Sequence, residues 1–147
     1  MEIFEILSSA NRKRKPDETL RVLNEHKDNL ALRYILQGAY DSNVTSYLPP
    51  GAPPFDAFPE KDPAKVPSTL NFKQKTIFNL FEYSWGSKQP RLKMEREFIK
   101  FLESIHSEDA DILIRMKDKT LHEKYPKLTK DVVREFLRQF GIDISLD

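Results

Sequence analysis

Seven of the ten prolines in this 147-residue chain fall between Tyr47 and Pro67, in the stretch YLPPGAPPFDAFPEKDPAKVP. Each proline fixes φ and removes a backbone donor, so the stretch excludes helix and central strand alike. Polyproline II and turns remain. Leu48, Phe55 and Phe58 recur within it, and large apolar groups at that spacing predict a strap draped on a core. The core itself must come from the chain on either side.

Both sides read as helix. Met94, Phe98, Phe101, Leu102 and Ile105 recur every three to four residues and form one apolar stripe. Val133, Phe136, Leu137 and Phe140 form another, with Thr129 as the expected N-cap, Asp131 in the first turn and Gly141 as the stop. Ser107 is the expected N-cap of a helix from Glu108 to about Lys119, acids at its start and Lys117 and Lys119 at its end. The N-terminal third predicts three short helices. One covers about Glu2 to Ser9. A second is capped by Asp17 and carries Leu20, Val22 and Leu23. A third is capped by Asn29 and ends near Gly38. Beyond the strap, a helix is expected from about Ser68 to Trp85. Only four glycines argue against a sheet with many tight turns. The expected fold is mainly α: a single compact helical domain over residues 1–147, of about six or seven helices. Its proline-rich strap, 47–67, joins an N-terminal helical part to a C-terminal one.

Charge and composition narrow the function. Lys and Arg number 24 against 23 Asp and Glu, which excludes a globally basic histone-like protein and a long acidic tail. Without cysteine there is no disulfide framework, no Cys-ligated zinc, no iron–sulfur cluster and no thiol nucleophile. His26, His106 and His122 do not pair at metal-ligand spacing. No phosphate loop, dinucleotide fingerprint or nucleophile elbow occurs. Glu103, Glu108, Asp109 and Asp111 gather at a helix start, where capping accounts for them. No metal, cofactor or catalytic residue is expected from these patterns. No apolar run approaches the roughly 20 residues of a membrane span. The first ten residues carry Glu2 and Glu5 and no basic leader, so the expectation is an intracellular protein.

Three stretches together resemble a known family. They are LPPGAPPF (48–55), REFIKFLESI (96–105) and SEDADILIRMKDKTLHEKYPKLTKDVVREF (107–136). Their order and spacing are similar to a family of small uncharacterised proteins from contractile-tailed phages, best represented among phages of marine cyanobacteria. The resemblance covers most of the chain and is most specific in the C-terminal third. It implies a phage source and supplies no activity, substrate or site residue.

The candidate binding residues are cationic and aromatic. Lys88, Arg91, Lys93 and Arg96 fall at a predicted helix start, where cations oppose the dipole, beside Tyr83 and the single Trp85. Such a grouping suits a phosphate with a base stacked on the indole; core packing of Trp85 and cations that are solvated or paired with acids elsewhere is the structural alternative. From Arg115 to Arg138, eight cations stand against four carboxylates, and Lys130, Arg134 and Arg138 share one helical face. Here a mixed-charge solvent surface is the alternative. Arg12-Lys13-Arg14-Lys15 is a third basic group, read equally well as a hydrated loop. The Pro50–Pro53 spacing matches a groove ligand but reads better as structure. The functional expectation is a non-enzymatic phage accessory protein in the host cytoplasm that binds a host or phage protein assembly. Direct nucleic-acid binding and a structural place in the virion are the alternatives.

Overall fold

The computed structural model describes residues 1–46, 48–73, 75–77 and 91–144, apart from the side chains of Phe72 and Arg91. Seven α-helices lie wholly among them: α1 (Ile3–Asn11), α2 (Pro16–Glu25), α3 (Leu30–Tyr40), α4 (Arg91–Leu102), α5 (Ser107–Asp118), α6 (Leu121–Lys124) and α7 (Lys130–Arg138). No strand occurs among the described residues. The mainly helical expectation therefore holds.

Local chemistry sets most of these boundaries. Asn29 Oδ1 accepts the Leu32 N–H at 3.1 Å and Thr129 Oγ1 accepts the Val132 N–H at 3.2 Å, both as the sequence predicts. Gly141, at φ 75, follows α7. Its N–H donates to Arg138 O at 3.0 Å while the Ile142 N–H donates to Leu137 O at 3.2 Å, the paired bonds of a left-handed helix stop.

Four local expectations are corrected. Asp17 does not cap α2: the helix starts at Pro16, which needs no N–H there, and Lys15 holds the cap position, its N–H donating to Glu18 Oε1 at 3.2 Å. Ser107 does not cap α5 either, because His106 Nδ1 accepts the Glu108 N–H at 3.1 Å. Gly38 does not end α3, which runs on to Tyr40. A Cβ on Gly38 would lie 2.1 Å from Met116 Cε, so this glycine serves the close approach of α3 and α5. The helix expected from Ser68 begins instead as a 3₁₀ turn over Leu70–Phe72, with 75–77 helical beyond it; the rest of that expectation lies outside the described residues.

The two helical parts do not form separate lobes. α3 packs against both α5 and α7, α1 against α2 and α5, α2 against α7, and α4 against α5. One hydrophobic cluster holds Ile6 and Leu7 of α1, Leu32, Ile35 and Leu36 of α3, Phe98 of α4, Ile112 and Leu113 of α5 and Phe136 of α7. Tyr40 Oη donates to Leu128 O at 2.6 Å inside it, so that buried hydroxyl is satisfied.

The strap lies across this core and is fixed by polar contacts from α5 and from the turn between α4 and α5. Lys117 Nζ donates to Pro49 O at 2.9 Å and Gly51 O at 3.0 Å, and Asp118 accepts the Gly51 N–H. Gly51 sits at φ 85, a conformation that a side chain disfavours. Further along, Glu103 Oε2 accepts the Asp56 N–H at 2.8 Å, His106 Nε2 lies 2.9 Å from Lys61 O, and Ser104 O accepts the Ser68 N–H at 3.0 Å. Leu48 is buried in the core and Phe55 packs against it, while Phe58 stays half-buried and apart from the cluster.

A candidate binding surface on helix α4

Helix α4 buries Met94, Phe98, Phe101 and Leu102 and turns the opposite side to solvent. Lys93, Arg96 and Lys100 are all exposed. At 100° per residue they lie within an arc of about 60°, and Lys93 and Lys100 are about 10 Å apart along the axis. None of the three makes an ion pair among the described residues. The first turn holds no acid, so Arg91 and Lys93 stand at the positive end of the helix dipole. Between them Leu92 is 70% exposed, the most open large apolar side chain among the described residues. Tyr83, Trp85 and Lys88, predicted to complete this surface, lie outside the described residues, as does the side chain of Arg91.

The cations from Arg115 to Arg138 behave differently. Lys117 is engaged under the strap. Lys119, left-handed at φ 60, donates to three carbonyls at the end of α3 and just beyond it: Gly38 O, Asp41 O at 2.9 Å and Val44 O at 2.7 Å. Those carbonyls have few intrahelical partners, so Lys119 acts as a cap supplied from another helix. Burial pulls its pKa down to about 8, with Asp41 opposing. Lys124 binds Glu108 at 2.6 Å and Asp111 at 2.8 Å, and Arg115 binds Asp111 at 3.0 Å. Burial works against ionised Asp111, but hydrogen bonds from Lys124 and Arg115 hold its carboxyl below the ordinary range.

On α7 the predicted face divides. Arg134 pairs with Asp131 at 3.4 Å and Arg138 with Glu135 at 2.9 Å, whereas Lys130 is exposed and makes no ion pair among the described residues. Arg12, Lys13, Arg14 and Lys15 are exposed in the α1–α2 connection, also without an ion pair among the described residues.

Two features escape sequence reasoning. A cleft of about 330 Å³ opens between the strap and α4, walled by Pro50, Pro53, Phe98 and Ile99, with Glu95 and Lys117 as its charged members. The other is Asp109, read as one of the acids at a helix start, which is 1% exposed. Burial and then the neighbouring Glu2 push its carboxyl up to about 7, against backbone N–H bonds from Leu70 and Phe4. The acids of this region do not converge: Glu103 serves the strap, Glu108 and Asp111 serve Lys124, and Asp109 turns inward. Among the described residues no group of three or more His, Asp or Glu side chains is placed to hold a metal ion. No described helix is long and apolar enough to cross a membrane.

A fold built this way is a small helical domain that leaves Lys93, Arg96 and Lys100 of α4 and the four cations of the α1–α2 connection exposed. The chain belongs to the Family of unknown function (DUF6433), which matches residues 6–123. The match spans α1 to α6, the strap included, and stops before α7. No curated protein and no solved structure matches the chain.

Proposed function

We propose that the protein is a non-enzymatic accessory protein of a phage, acting in the infected cell by binding a host or phage protein assembly through the outer face of α4. The phage source rests on the resemblance of the 48–55, 96–105 and 107–136 stretches. The observation that carries the surface is the cationic first turn of α4. Cations there oppose the helix dipole, and Lys93 makes no ion pair among the described residues, a local cost that a binding surface offsets. An exposed Leu92 amid Lys93 and Arg96 fits an acidic protein face with an apolar pocket, since interfaces combine a desolvated anchor with charges around it.

The test is affinity purification of the tagged protein from infected cells, with and without nuclease, alongside a Lys93→Ala, Arg96→Ala double variant. A protein partner that survives nuclease and is lost with the double variant supports the proposal. Material that vanishes with nuclease replaces it with direct nucleic-acid binding, which weakens steeply with salt. Recovery of the protein in purified particles replaces it with a place in the virion. A partner held equally well by the double variant moves the surface away from α4.

A further inference from the structure

The strap and α4 enclose a cleft of about 330 Å³ whose strap wall is fixed in place. Lys117, its side chain almost fully buried, donates to Pro49 O and Gly51 O, and Asp118 accepts the Gly51 N–H. The proline rings on either side of Gly51 stiffen that wall further. A cleft held in this way does not have to be ordered when something enters it, which removes one cost of binding.

Size and chemistry define the occupant. The volume is at the low end of the roughly 300–1,000 Å³ of ligand pockets, which suits a bulky side chain rather than an extended cofactor. The strap offers little main-chain pairing, since its prolines lack N–H groups and the Gly51 N–H is taken by Asp118. Recognition therefore falls to side chains. With Pro50 and Pro53 on the strap wall and Phe98 and Ile99 on the helix wall, the cleft suits the flat apolar body of an aromatic group.

Charge sorts the rest. Glu95 lines the cleft and disfavours a carboxylate inside it. Outside, the surface of α4 passes from apolar to cationic. Ile99 and Leu92 lie within about 20° of each other around the helix axis, and Arg96, Lys100 and Lys93 follow over about the next 100°, away from Glu95. These three cations are exposed and make no ion pair among the described residues. Acids beside an anchor seated in the cleft meet Arg96 first.

We propose that the cleft between the strap and α4 receives an aromatic side chain from an acidic segment of a partner protein, whose carboxylates lie against Arg96, Lys100 and Lys93. The inference rests on the reading of α4 as a protein-binding surface and names what that surface selects.

Amide NMR of the full chain, titrated with synthetic peptides, tests the cleft. The probe is a short glutamate-rich peptide with one central tryptophan. It should shift the amides of Gly51, Ala52, Leu92 and Ile99, and bind at least about tenfold more tightly than the same peptide with alanine at its centre. Ala52 is exposed and lines the cleft, so Ala52→Trp fills it from an exposed position and should bind both peptides alike. Should that variant fail to fold, Ile99→Gln serves in its place, with the same expectation. The Lys93→Ala, Arg96→Ala double variant should weaken both peptides and keep the preference for tryptophan. Equal binding of the two peptides, shifts confined to other parts of the chain, or an undiminished preference in the filled cleft would overturn the proposal. So would a single-stranded oligothymidylate that shifts these amides at lower concentration than the tryptophan peptide, which assigns the site to nucleic acid. Capture from infected cells separates this inference from the reading beneath it. A protein lost with the double variant but kept by Ala52→Trp leaves the α4 surface in place and removes the cleft from it.

Discussion

Helix α4 and the α5–α6 segment carry the same kinds of cation with opposite fates. Lys93, Arg96 and Lys100 stand in solvent without an ion pair among the described residues. Lys117 and Lys119 reach carbonyls of the strap and of the α3 C-terminus, and Lys124 and Arg115 share Asp111. Surplus charge in the sequence is therefore a poor guide to charge offered outward. An ammonium on a four-carbon stem reaches whatever acceptor the fold brings near. The 115–138 stretch, with eight cations against four carboxylates, commits Arg115, Lys117, Lys119, Lys124, Arg134 and Arg138 to partners within the molecule, whereas α4, with four against two, leaves Lys93, Arg96 and Lys100 exposed.

Substitutions sharpen the contrast by separating stability from binding. Lys119→Met should be the most damaging, because three carbonyls lose their donor together. A loss of about 3 kcal/mol in urea denaturation is expected. Lys117→Met should cost about 2 kcal/mol and expose the strap to proteolysis between Pro49 and Phe55, since the side chain that holds Pro49 and Gly51 is gone. Lys124→Ala opens a partly exposed network with Glu108 and Asp111, and a loss of about 1 kcal/mol by the same measurement is expected. Lys93→Ala with Arg96→Ala should leave stability within about 0.5 kcal/mol and remove the partner in purification. A large stability loss from that pair, or none from Lys119→Met, would erase the distinction between the two regions.

Much of the fold was legible because the signals were local. The apolar spacing from Met94 to Leu102, the Asn29 and Thr129 caps and the Gly141 stop each depend on neighbours within a few residues. The misread starts had local competitors: Pro16 suits the first helical position better than Asp17 suits the cap, and an imidazole acceptor at His106 displaces Ser107. Gly38 looked like a terminator because the backbone signal of glycine is the same for a stop and for close packing; Met116, far along the chain, decides which. The candidate site was legible in part. Lys93 and Arg96 emerge where the helix dipole argument placed them, whereas the Arg134 and Arg138 face is paired to its own acids three residues away.

By itself the sequence determined that this chain is helical, that a proline-rich stretch interrupts it, and where several helices begin and end, because propensity, capping and periodicity act over a turn or two of backbone. Only the tertiary structure decided which lysines are cations for a partner and which are caps and clasps within the molecule, and that Asp109 is a buried carboxyl rather than a solvated one. Those outcomes depend on acceptors and low-dielectric surroundings contributed by segments dozens of residues away, and charge responds to what is near in space.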